Sequence, residues 1–239
     1  MTPDGSALQR RQELATNLAA VRDRIDSACA GAGRAPDEVT LVVVTKFFPA
    51  SDVRLLADLG VSHVGENRHQ EAEAKVAECA DLSLSWHFIG TLQSNKAAAV
   101  ARYADVVESV DRSKLLRALA RGAHERGRVL DCLVQVSLDP AAASGRGGAA
   151  APDVVPLAEE VLATEGLRLR GVMAVAPLGE PPLPAFEQLA EVAAAVRALE
   201  PAAGWISAGM SADLEEAIRC GATHVRIGSA VLGPRPPIK

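Results

Sequence analysis

The sequence is poor in aromatic residues: Phe, Trp and Tyr make up 3% of 239 residues, and Tyr103 is the single tyrosine. A core with so few rings must be built from Ala, Val and Leu, which suits closely packed helix-on-sheet layers and excludes an aromatic stacking platform for nucleic acid. Positive charge is not in excess either. With a formal net charge of −5 the chain has no electrostatic pull toward a phosphate backbone, and no nucleic-acid partner is expected. Cys29, Cys79, Cys132 and Cys220 are far apart and form no C-x-x-C pair, so reduced structural thiols and a cytoplasmic location are expected. No stretch approaches the ~20 apolar residues of a membrane span, which excludes a helical membrane protein. The opening Met1-Thr2-Pro3-Asp4-Gly5 lacks the basic-then-apolar order of a secretory signal.

What is present is a strong alternation. An amphipathic helix is expected first, with Leu14, Leu18, Val21, Ile25 and Ala28 on one stripe and Gly31 and Gly33 ending it. Leu41-Val42-Val43-Val44-Thr45-Lys46 then offers four consecutive apolar residues, three of them β-branched, the mark of a strand buried on both faces. Further strands are expected at Val61 to Gly65, Leu84 to Ile89, Val106 to Val110, Val129 to Val136, Leu167 to Val175, Trp205 to Ser207 and His224 to Ile227. Helices separate them, among them Asn67 to Ala80, Ser94 to Tyr103, one capped by Asp111, Val154 to Thr164, Pro184 to Leu199, and Ser211 to Cys220. An Ala/Gly-rich loop from Pro140 to Pro152 interrupts the rhythm, at a length usual for functional or disordered segments. Strand and helix alternating in this way predict a single-domain (β/α)8 barrel over residues 1–239, preceded by one extra helix. A doubly wound open sheet would require a Gly-rich turn after the first strand, and Thr45-Lys46-Phe47-Phe48 has none.

In such a barrel the loops following the strands share one face, which carries the site. Lys46 shares a pleat face with Val42 and Val44, which places its ammonium at the mouth of an apolar wall. Burial there disfavours the charged form and frees the amine to attack a carbonyl; a solvated strand-end lysine is the ordinary alternative. Ser207-Ala208-Gly209-Met210-Ser211 and Gly228-Ser229-Ala230 follow the seventh and eighth strands, where barrels commonly hold a phosphate, although either segment alone is explained by turns. Arg226 alternates with His224 and Gly228 on one face of the eighth strand. Its charge cannot be shed, so it needs an acceptor, either a buried carboxylate or a heteroaromatic nitrogen of a ligand. A nucleophilic lysine, an inward arginine and a phosphate cradle together match the aldehyde, ring nitrogen and phosphate of pyridoxal phosphate.

Thr45-Lys46, Gly65-Glu66-Asn67, Trp86-His87-Phe88-Ile89-Gly90, Gln93-Ser94-Asn95-Lys96, Gly171-Val172-Met173-Ala174, Ser207-Ala208-Gly209-Met210-Ser211 and Val225-Arg226-Ile227-Gly228 stand in this order. With them the chain closely resembles the pyridoxal phosphate homeostasis proteins, which are similar to the N-terminal barrel domain of alanine racemase, from the opening helix to Gly233. The resemblance implies pyridoxal phosphate bound as a Schiff base on Lys46, with Arg226 facing the pyridine nitrogen and Ser207, Gly209, Gly228 and Ser229 around the phosphate. It also implies Asn67 near the lysine and ring, Met173 lining the pocket, and Asn95-Lys96 at the mouth. The chain departs from the family pattern at Arg68 (usually Tyr), at Ala208 (usually Met) and after the fifth strand, where Ser137, Asp139 and Arg146 replace an Asn, an acidic residue and a Lys.

An arginine donates to a pyridine nitrogen without protonating it, which leaves the ring a poorer electron sink than one paired with Asp or Glu. Racemases of similar design rely on a tyrosine from a second domain. Here Tyr103 is expected on a helix before the fourth strand, and no second domain is expected after Gly233. The expected function is therefore a non-catalytic cytoplasmic monomer without racemase activity. It would hold and buffer intracellular pyridoxal phosphate, with pyridoxal phosphate-dependent apo-enzymes as candidate recipients and no membrane partner. One alternative is a racemase-like enzyme using His87 or His224 as base, although neither has a partner nearby in sequence. A cofactor-free Schiff-base aldolase is the third reading, and Arg226 counts against it.

Overall fold

The structure is a computed structural model that describes residues 5–139 and 147–234. Pro140 to Arg146 of the Ala/Gly-rich loop therefore lie outside the described residues. The chain opens with α1 (Gly5–Gly31) and then alternates through β1 (Thr40–Val44), α2 (Ala50–Asp58), β2 (His63–Glu66), α3 (His69–Glu78), β3 (Ser85–Phe88), α4 (Ala97–Ala101), β4 (Val106–Val110) and α5 (Leu116–Arg126). It continues through β5 (Leu130–Gln135), α6 (Ala151–Leu162), β6 (Leu167–Met173), α7 (Pro182–Leu199), β7 (Trp205–Ser207), α8 (Leu214–Arg219), β8 (His224–Ile227) and α9 (Ser229–Leu232). All eight strands pair in parallel and in order, and β8 closes onto β1 with Val42 opposite Arg226. This is the (β/α)8 barrel that the alternation predicts.

The period of two sorts each strand into an inner and an outer row. Val43, Val225 and Ile227 face outward and share a core with Leu14, Leu18, Val21, Ile25 and Cys29 of α1. Val106, Leu133 and Met173 pack together as a separate cluster inside the barrel, with Val175 and Trp205 against it. The extra helix covers the closing seam between β1 and β8. Its four leading stripe residues are at most 4% exposed, each worth ~1.5–3 kcal/mol relative to exposure. Its register is pinned by polar contacts: Arg10 Nη2 reaches Asp52 Oδ2 at 2.7 Å and the Leu232 carbonyl at 3.0 Å, and Asn17 Nδ2 donates to the Val231 carbonyl at 3.0 Å. The stripe ends on fully buried Cys29, while Ala28 is only partly buried.

Several element starts differ from the sequence expectation by two or three residues, among them α4 at Ala97 rather than Ser94 and α6 at Ala151 rather than Val154. At α5 and α8 the reason is a local polar contact. Asp111 does not cap α5: its carboxylate takes Arg112 Nη1 at 2.5 Å, and the chain enters the helix through a tight turn at 113–115. α8 begins at Leu214 rather than Ser211, because Asp213 Oδ1 accepts the Met210 N–H at 2.6 Å and holds residues 210–213 as a turn. That turn stays at the barrel mouth. Among the described residues no helix is long and apolar enough to cross a membrane.

Candidate functional site

A cavity of about 350 Å³ opens where the strands end. Lys46, Asn67, Met173, Arg226, Gly228 and Ser229 line it, and Ser207 and Gly209 do not. Lys46 arrives there because β1 keeps its parity: a Cβ at inward-facing Gly65 would lie 3.2 Å from Val42 Cγ1 and 3.5 Å from Val44 Cγ2, so both valines point inside with the lysine beyond them. Phe47, also in the wall, has φ +71°, in the left-handed region that a side chain with a Cβ rarely adopts.

Arg226 is 4% exposed and bridges the wall to the barrel interior. Its Nη1 donates to Ser207 Oγ at 2.6 Å and its Nη2 to the Ala174 carbonyl at 2.7 Å. Ser207 Oγ in turn donates to Glu108 Oε2 at 2.6 Å, and that oxygen lies 3.8 Å from Arg226 Nη1. The buried-carboxylate alternative for Arg226 is realised in Glu108, and the same guanidinium also lines the cavity. Burial raises the Glu108 carboxyl pKa, but the hydrogen bond from His87, the Arg226 charge and the bond from Ser207 outweigh it and hold the group at about 2. Burial likewise lowers the pKa of Arg226, against the pull of Glu108. Sequence reading passed over Glu108; the available signal was a carboxylate at an inward position of the otherwise apolar Val106–Val110.

Ser207 and Gly209, expected at the phosphate cradle, stand behind the cavity lining rather than in it. The Ser207 side chain is fully buried and occupied as the link between Arg226 and Glu108. Gly209, at φ +93°, faces α8: a Cβ there would come within 2.7 Å of Ala217 Cβ, and its carbonyl accepts the Arg226 N–H at 2.9 Å. The same loop reaches the cavity two residues later, through Met210, Ser211 and Ala212. Asn95 and Lys96 do not line the cavity.

The histidines do have partners, supplied by other strands. His87 Nδ1 donates to Glu108 Oε1 at 2.7 Å, and His87 Nε2 stands 3.0 Å from His63 Nδ1. His224 packs on the Trp205 ring with centroids 4.3 Å apart and meets Thr223 Oγ1 at 2.9 Å. His63, Trp205 and His224 are the first residues of their strands, and none of the three histidines lines the cavity. Burial lowers the pKa of His63 to about 4 and that of His224 to about 3, so both are neutral packing residues near neutral pH. Tyr103 sits outside the barrel, stacked on His69 at 5.8 Å, with its phenol pKa pushed up by burial.

The family model for the alanine racemase N-terminal domain matches residues 16–236. A pyridoxal phosphate homeostasis protein of Mycobacterium tuberculosis is 44% identical over 253 residues, covering 98% of each chain. The chain belongs to the pyridoxal phosphate homeostasis protein family. PipY of Synechococcus elongatus, solved with pyridoxal phosphate bound, is 34% identical with a TM-score of 0.80, covering 92% of this chain and 100% of that one. Alanine racemase from Streptomyces coelicolor, 19% identical with a TM-score of 0.70, shares the fold; the match spans 58% of its length. For a pyridoxal phosphate homeostasis protein, the departure at Arg68 lies at the cavity edge, its guanidinium 4.9 Å over the Phe47 ring. Ala208 is buried in the outer core, away from the cavity. In the loop after β5, Gly147 accepts from Gln135 Nε2 at 2.6 Å and Ser137 N–H donates to the Ala149 carbonyl at 2.9 Å, while Arg146 lies outside the described residues.

Proposed function

We propose that this chain carries pyridoxal phosphate as a Schiff base on Lys46 and serves pyridoxal phosphate homeostasis as a non-catalytic cytoplasmic monomer, holding the cofactor and supplying it to apo-enzymes. The observation that carries the reading is the meeting of Lys46, Arg226 and the Gly228–Ser229 step in one cavity. The residues fit the group. Asn67 Oδ1 is buried and unpartnered at the cavity wall, an acceptor suited to a ligand hydroxyl. A Cβ at Gly228 would press to 3.3 Å from the Val44 carbonyl, so only glycine fits this close approach to β1, and Gly228 and Ser229 line the cavity together with Ser211 and Ala212, small or polar residues suited to a phosphate. When bound, the cofactor supplies an aldehyde for the lysine amine and a ring that withdraws electrons.

The non-catalytic part rests on what surrounds that ring. Arg226 donates hydrogen bonds but keeps its proton, and Ser207, Ala174 and Glu108 hold it in place. Tyr103, His87 and His224, the side chains that could serve as an opposing base, stand away from the lining. The family naming of relatives as homeostasis proteins supports the same reading. Cys29, Cys79, Cys132 and Cys220 are free thiols, which suits a reducing compartment.

Borohydride reduction of the purified protein followed by peptide mapping tests the reading: the pyridoxyl label is expected on Lys46. A label on Lys96, or on no lysine, refutes it. Holo-protein should reactivate an apo-enzyme, whereas amino-acid α-hydrogen exchange should not exceed that of free cofactor. Exchange well above that level, lost in Lys46→Ala, would replace the carrier with an enzyme.

A further inference from the structure

The turn bearing Lys46 is gripped from outside the barrel by charges that do not touch the cavity. Gly65 and Asn67 point inward, so Glu66 between them points out, beneath α3, where it is 1% exposed. Its Oε1 accepts Thr45 Oγ1 at 2.5 Å and Lys75 Nζ at 2.5 Å. Lys75, 4% exposed, also donates to the Thr45 carbonyl at 2.9 Å and reaches Glu71 Oε1 at 3.2 Å. That Glu71 oxygen accepts the Phe47 N–H at 2.5 Å. The residue before Lys46 is thus held at hydroxyl and carbonyl, and the residue after it at the amide.

Phe47 is the only non-glycine residue at positive φ among the described residues, at +71°, and such strain persists only where surrounding contacts over-determine it. Burying charges is a poor way to gain stability, since well-packed apolar side chains generally do as well or better. What this arrangement does supply is geometry, at the two peptides flanking one amine.

We infer that Glu66, Lys75 and Glu71 are positioning residues that hold the Thr45–Phe47 turn so that the Lys46 amine faces the cavity ready to capture an aldehyde. The inference rests on Lys46 being the cofactor lysine. Glu71 is the member to perturb, because its side chain is 26% exposed and its removal leaves the Glu66–Lys75 pair intact. Glu71→Ala removes the acceptor for the Phe47 amide; Glu71→Gln retains an oxygen there.

The full-length protein, freed of cofactor, is mixed with pyridoxal phosphate, and borohydride-trapped label on Lys46 is followed by mass spectrometry alongside hydrogen exchange at the Phe47 amide. Glu71→Ala should label Lys46 about tenfold more slowly or worse, as expected when a reacting group is displaced by a fraction of an ångström. Its Phe47 amide should also lose protection, and Glu71→Gln should restore both. Wild-type labelling of Lys46 with equal labelling in Glu71→Ala overturns the positioning role. So does an unprotected Phe47 amide in the wild type, a measurement that needs no variant. Absence of wild-type label on Lys46 instead overturns the cofactor reading and the inference with it, and the Phe47 exchange data separate that failure from a failure of the grip alone.

Discussion

Gly90→Ala is a sharp test of how the cavity is built. Gly90 follows β3, and a Cβ added there would lie 2.2 Å from the Asn67 carbonyl oxygen, 2.7 Å from its Cα and 2.8 Å from its carbonyl carbon. Real Cβ atoms essentially never come within 3.0 Å of such atoms, so the Asn67 backbone must retreat by about 0.8 Å. No flexible side chain can absorb the shift, because every contact is main chain. The Ile89 N–H also donates to the Glu66 carbonyl at 2.8 Å, tying the two strand ends together at this point. Overpacking of this kind costs ~1–3 kcal/mol, and losing the tie would add ~0.5–1.5 kcal/mol. For a chain of this size that is a fall in Tm of roughly 3–18 °C. Because Asn67 lines the cavity, pyridoxal phosphate affinity should fall by about 10- to 100-fold. Thermal melts with and without pyridoxal phosphate, together with an absorbance titration, give both numbers. Gly127→Ala is the control: nothing lies within 4 Å, so its φ of +72° should cost stability (~1 kcal/mol) and leave affinity unchanged. An unshifted Tm and affinity in Gly90→Ala would refute the steric reasoning.

Arg226→Ala strands the fully buried Glu108 carboxylate and should destabilise the fold by ~3–5 kcal/mol in urea titrations, with Glu108→Gln in the same background recovering much of the loss. His63 and His224 have folded pKa values below the ordinary 6.5, so below that pH the unfolded chain binds more protons and stability falls as pH drops. The loss should begin near pH 6.5 and continue to about 4 for His63 and about 3 for His224, approaching ~1.4 kcal/mol per pH unit for the buried His224 and less for His63, which solvent partly screens. His224→Asn should remove at least half of the slope of ΔG against pH between 6 and 5, and an unchanged slope would contradict the buried neutral assignment. Gly228→Val should crowd the Val44 carbonyl and weaken pyridoxal phosphate retention, and inorganic phosphate should compete for the wild-type site; equal retention by equilibrium dialysis would place the anion elsewhere.

By itself the sequence determined the alternation, and with it the barrel. The limits of Val106–Val110, Trp205–Ser207 and His224–Ile227 agree with the structure because short β-branched runs between turn residues are local signals. The same period of two put Lys46 beyond inward-facing Val42 and Val44, and Arg226 inward with Gly228. Only the tertiary structure decided what those residues meet. Glu108 and Ser207 join Arg226 because closure of β8 onto β1 brings strands far apart in sequence to one level of the barrel. Ser207 and Gly209 turned out to support the wall rather than line it, since the side chain of one is occupied inside and the other packs against α8. Lys75, an ordinary helix lysine by sequence, is buried against Thr45 and Glu66 across a strand–helix packing. Periodicity reports which way a side chain points, whereas the partner it finds depends on strand stagger and helix docking, which no window of neighbouring residues contains.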